Sequence, residues 1–132
     1  MFKGLSILIT TGVAGAMGKI AVYKSDTNGR PAALLLETAA IDMSTATTRA
    51  VTVSQTLLKG QTYWLGLRTN AAPTIAAWAA GATPDINGGT PSTVLRKTLA
   101  KTVTYANAAP ANWSWSSNDI GAGAAPAIWL MV

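Results

Sequence analysis

A chain of 132 residues is long enough for one domain with a substantial core and too short for two, so a single domain is expected. Hydrophobic residues make up 49% and charged ones only 11%, against about 25% charged in ordinary soluble domains, which excludes a disordered chain and leaves Thr, Ser, Asn, Gly and Ala to cover the surface. The net charge of +5 is dispersed, with only Arg96-Lys97 and Lys101 grouped, so no nucleic-acid partner is expected; the absence of Cys and His removes disulfides, thiolate chemistry, the commonest zinc ligands and the usual general base.

Residues 2–10 are expected to form the first strand. Lys3 ahead of Leu5, Ile7, Leu8 and Ile9, followed by Ala14-Gly15-Ala16, imitates a secretory leader, but Thr10, Thr11 and Gly12 interrupt the apolar run. No stretch approaches the ~18 uninterrupted apolar residues of a membrane span, so no membrane insertion is expected. Residues 12–18 connect to a second strand over 19–24, which ends in Ser25-Asp26-Thr27-Asn28-Gly29-Arg30-Pro31. Asp26 can accept bonds from nearby backbone amides and Asn28-Gly29 favours left-handed backbone, so this is an exposed reversal. Its likeness to the start of a calcium loop fails on the missing later ligands and terminal Glu.

Residues 33–43 are read as a strand, although Leu34-Leu35-Leu36-Glu37 has helical propensity. The strongest period-2 alternation follows. Val51, Val53 and Leu57 alternate with threonines and Ser54, and beyond Lys59-Gly60 Tyr63, Leu65 and Leu67 alternate with Trp64, Gly66 and Arg68. The two runs predict neighbouring strands of a hairpin that turns at Gly60, with both apolar rows on the core face. A short strand over 74–79, a long loop over 81–92, alternation over 93–105 through Leu95, Leu99, Val103 and Tyr105, a second loop over 106–125 and a terminal strand over 126–132 complete the chain. Short strands punctuated by Gly/Pro turns predict an all-β fold: a single antiparallel β-sandwich, jelly-roll-like, with about eight strands and two long loops.

Chemistry is sparse. Asp26, Glu37, Asp42, Asp85 and Asp119 are the only acids, and they share no motif; a glycosidase would need two of them ~5–9.5 Å apart across a sugar. The glycines between 12 and 18 lack a Walker lysine and a following helix. No catalytic residue, metal ligand or cofactor site is therefore expected. Trp64 and Trp129 lie in predicted strands and are expected to pack on the sheets. Trp113 and Trp115, two apart in a polar loop, would project to one side if extended, where they cap the sandwich, meet another subunit or stack on a sugar whose hydroxyls bond Asn112, Ser114, Asn118 and Asp119. Trp78 with Arg96-Lys97 offers a stacking-plus-charge surface for single strands, without the interleaved basic and aromatic pattern such grooves use.

Gly18-Lys19-Ile20-Ala21-Val22-Tyr23, Asp26-Thr27-Asn28-Gly29-Arg30-Pro31, Leu34-Leu35-Leu36-Glu37-Thr38 and Val53-Ser54-Gln55-Thr56-Leu57 with Gly60-Gln61-Thr62-Tyr63-Trp64-Leu65 together resemble a β-sandwich domain of tailed-bacteriophage virion proteins, of the minor-tail, tail-fibre or particle-surface type. The resemblance covers residues 5–73, and it marks a fold more than a task. It implies a particle component located on the virion, with other virion proteins as partners. Apolar residues left over after one small core is filled predict a homo-oligomer, a trimer for a fibre or decoration protein. A host surface glycan bound at the loop tryptophans is the alternative. In such proteins the domain often follows another segment; this chain begins almost at the first strand, which suits a whole gene product and a terminal fragment equally.

Overall fold

The computed structural model describes residues 2–77, 98–116, 119–121 and 125–132. Among them ten strands run in chain order: β1 (Phe2–Thr11), β2 (Met17–Ser25), β3 (Pro31–Glu37), β4 (Ile41–Asp42), β5 (Thr48–Gln55), β6 (Tyr63–Thr69), β7 (Thr74–Ile75), β8 (Thr98–Leu99), β9 (Ile120–Gly121) and β10 (Ile128–Met131). Eight of them build two antiparallel four-stranded sheets that pack as a β-sandwich, while β8 and β9 pair apart. Each large sheet has one long central strand. β1 carries β5 on one side and β10 on the other, with β7 at its far end; β2 carries β6 on one side and β3 and β4 in line on the other.

The core lies between the central strands. Leu5, Ile7 and Ile9 face inward from β1 and meet Ile20 and Val22 from β2, with Ile41 and Met43 closing one end. These side chains are almost wholly removed from water, and each full burial contributes roughly 1.5–3 kcal/mol. β2 is buried on both faces because its outward residues Ala21 and Tyr23 sit under a further layer of chain. That accounts for its nearly unbroken apolar run, which period-2 alternation by itself would not produce.

The connection at Gly60 differs from the expected hairpin. β5 pairs with β1 and β6 pairs with β2, so residues 56–62 arch from one sheet to the other. Val51, Val53 and Leu57 still face Tyr63, Leu65 and Leu67, but across the sandwich rather than side by side. Gly60 holds φ at 81°, a backbone conformation unfavourable for residues with a Cβ, and the Leu58 amide donates to the Tyr63 hydroxyl at 2.9 Å to close the arch.

The strand expected over 33–43 is interrupted at Thr38. This buried residue donates its amide to the Ile20 carbonyl and accepts the Ile20 amide on its hydroxyl at 3.0 Å, so residues 39–40 bow out before β4 rejoins β2. The Asp26 reversal forms as expected, its carboxylate accepting the amides of Asn28 and Arg30 at 2.8 Å each. Nearby chain segments also approach closely at Gly12, where a Cβ would overlap the Ser44 carbonyl. Asp42 accepts the Ser44 amide at 2.9 Å and pairs with Arg49 at 2.8 Å, tying β4 to β5. Hydrogen bonding from the Ser44 side chain and then its amide, more than the Arg49 charge, holds the Asp42 carboxyl below its ordinary range. The alternation expected over 93–105 yields only β8 as a strand among the described residues. From 100 to 105 burial still alternates, but the chain lies over a sheet rather than within one.

Candidate functional site

The outer face of the second sheet presents Ala21 and Tyr23 from β2, Glu37 and Leu34 from β3, and Trp64, Gly66 and Arg68 from β6. Residues 99–116 cross this face as a strap. Two backbone bonds zip the strap to the free edge of β3: the Leu34 amide donates to the Ala111 carbonyl and the Trp113 amide to the Ala32 carbonyl, each at 2.8 Å, with Asn112 opposite Ala33. Unpaired edge groups find partners in this way, which protects the strand.

A charged clamp holds the strap's middle. Arg68 and Glu37 reach toward each other across β2 and form an ion pair, their side chains only 14% and 16% exposed. The same Arg68 guanidinium donates to the Asn107 carbonyl at 3.0 Å, and Glu37 accepts the Ala109 amide at 3.0 Å. Each charge is thus bonded both to the other and to strap backbone, while the Arg68 Nε stays buried without a hydrogen-bond partner. Tyr105 lies between Lys19 and Arg68, 5.3 and 5.9 Å from its ring centre, within the range of cation–π attraction.

Trp113 packs edge-on against Tyr23, with ring centres 5.4 Å apart and planes at 87°. Its indole N–H donates to the Asp119 carboxylate at 3.1 Å, which also accepts the Ser116 amide at 3.1 Å and lies 3.6 Å from the Lys101 ammonium. Asp119 is buried, so these neighbours take the place of water. Trp115 turns elsewhere: the Arg30 guanidinium stacks 3.9 Å from its ring centre. Of the residues singled out in the sequence, the fold joins Trp113 to Asp119 and sets Asn112 on the β3 edge, while Trp115 meets the Asp26 reversal. Trp78, Asn118 and the loop at 81–92 lie outside the described residues.

Burial pushes the Tyr23 phenol above its ordinary pKa of 10.0, and Glu37 pushes it further while Arg68 opposes. Beside Tyr23, between strap and sheet, lies a cavity of about 390 Å³ walled by Tyr23, Trp64, Leu99, Val103 and Trp113. Trp64 is fixed by its own N–H, which donates to the Ser25 hydroxyl at 3.0 Å and the Gly29 carbonyl at 3.1 Å. This grouping was not read from the sequence, where Trp64 counted only as sheet packing. A signal existed in the outward row Trp64-Gly66-Arg68, since a glycine between two large side chains on one face leaves a notch.

Among the described residues no group of three or more acids could hold a metal ion, and no helix is long and apolar enough to cross a membrane. Comparison with protein-family models, with curated proteins and with solved structures finds no match.

Proposed function

We propose that this chain is a non-enzymatic structural module of a tailed-bacteriophage virion, displayed on a tail fibre, baseplate or capsid surface and acting through assembly contacts with copies of itself and with other virion proteins. The observation that carries this reading is the difference between the two outer faces of the sandwich. The second sheet is covered by the chain's own strap. The first sheet, where β1 pairs with β5 and β10, turns outward Gly4, Ser6 and Leu8, Thr48, Ala50 and Thr52, and Trp129 and Met131, with no ionisable side chain among these paired residues. Trp129 is 40% exposed and Leu8 37%.

Copies of a chain carrying +5 repel one another, so a face whose paired residues are uncharged and which exposes a tryptophan is where a second copy can approach at least cost. Resemblance over residues 5–73 to sandwich domains of virion proteins supplies the biological setting. Sugar binding at Trp113 and Trp115 draws less support, because the Trp113 N–H and the Asp119 carboxylate are already bonded to each other and Arg30 occupies one face of Trp115.

Mass and symmetry of the purified protein test this reading. A homotrimer is expected, converted to monomer by Trp129→Lys with the circular dichroism of the folded domain retained. A wild-type protein that stays monomeric, or a trimer indifferent to Trp129→Lys, would remove the assembly face from the account. Immunolabelling of purified particles is expected to mark the virion surface; antibody that finds the protein only in the soluble lysate would reject the virion setting.

A further inference from the structure

Gly66 sits in the middle of β6, where glycine weakens a strand and needs a reason. None of the usual reasons applies. Its φ is not positive, its register with β2 runs without a bulge from Gly18–Thr69 to Lys24–Tyr63, and an added Cβ would meet nothing nearer than the Ala21 carbonyl at 4.0 Å. What its missing side chain does is keep open the floor of the cavity between sheet and strap. At about 390 Å³ that space lies in the range of small-molecule sites, roughly 300–1,000 Å³.

The walls are apolar and already oriented. Trp64 and Trp113 are held by bonds from their own indole nitrogens, and Tyr23 is held edge-on by Trp113, so the rings need not reorganise to accept a guest. Among the described residues the charged side chains lining the space are Arg68 and Lys101; neither Glu37 nor Asp119 is among them. Both cations retain donor capacity. The Arg68 Nε is buried without a partner, and the Lys101 ammonium, with three protons, has the Ser114 carbonyl and Asp119 as its described acceptors. Among the described residues no Asn, Gln, Asp, Glu, Ser or Thr lines the cavity, so these walls offer the hydroxyls of a sugar few acceptors. We propose that this cavity is a binding site for a small ligand with a flat apolar body and one anionic group.

The probe is 8-anilinonaphthalene-1-sulfonate, an aromatic body with one sulfonate, titrated into the folded full chain by fluorescence and calorimetry. One molecule per chain is expected to bind. Gly66→Val, whose Cβ would meet no atom nearer than 4.0 Å, should abolish binding while the circular dichroism of the folded domain is retained; Gly66→Ala should weaken it partially. Lys101→Met should weaken the sulfonated probe roughly tenfold, equivalent to ~1.4 kcal/mol, and leave its neutral parent N-phenyl-1-naphthylamine unchanged. Absence of stoichiometric binding, or binding that survives Gly66→Val but disappears with Trp129→Lys, would overturn the site and assign the dye to the outer sheet face. Equal weakening of both probes by Lys101→Met would overturn the anionic preference.

Discussion

Tyr23 shows how one side chain can serve two layers. Its backbone lies in the central strand of the second sheet, and its ring, turned away from the sandwich core, is the surface on which Trp113 rests. Burial makes the phenolate costly in the folded state, so its pKa there lies above the unfolded value near 10. A raised pKa means that the folded chain holds its proton where the unfolded chain has released it. The stabilisation is therefore complete below pH 10 and is lost as pH climbs through the folded pKa. Alkaline denaturation followed by tryptophan fluorescence should show stability declining above pH 10, and Tyr23→Phe should make that decline shallower; an identical profile for the variant would mean that other groups dominate.

At the scale of elements, the strap and the arch depend on different forces. The arch at 56–62 places two apolar rows face to face, and burial of those rows holds it. The strap has fewer apolar contacts and is held by the edge bonds to β3 and by the Glu37–Arg68 clamp. Removing one member of a mostly buried pair strands the other charge, a loss of about 3 kcal/mol or more. Glu37→Ala is thus expected to lower the unfolding free energy in guanidinium titrations by about that amount, whereas Glu37→Leu combined with Arg68→Met should cost less, because no charge is left unpaired. If the double replacement proves as harmful as the single one, packing rather than charge holds the strap.

For the whole molecule, the proposed assembly joins like-charged chains through a face without ion pairs, and salt is the discriminating variable. Raising ionic strength from about 0.01 to 0.1 M shortens the screening length from ~30 to ~10 Å and weakens repulsion between copies. Sedimentation at the two ionic strengths is expected to show association unchanged or tightened by salt. Dissociation by salt would point to an ionic interface and away from the face bearing Leu8 and Trp129.

Residues 2–10, 19–24 and the Asp26 reversal were legible in the sequence because each rests on a local cause: a short apolar run bounded by turn residues, or a carboxylate within reach of its own backbone amides. The apolar rows of β5 and β6 were legible for the same reason. Their pairing was not, since a two-residue period fixes which side of a strand faces the core but carries no label for the neighbour that takes its hydrogen bonds. Residues 100–105 alternate as a strand does and yet cover a sheet, because burial on one side has the same period whether or not a ladder forms. Lys101, Gly66, Trp64 and Trp113 enclose one cavity although 48 residues lie between Trp64 and Trp113, 111 to 113 being docked on β3. The sequence by itself determined an all-β sandwich, its inward rows and its principal reversal, all products of short-range sterics and hydropathy. Only the tertiary structure decided which sheet each strand joined, which outer face was covered and where a cavity remained, because those depend on contacts between residues distant along the chain.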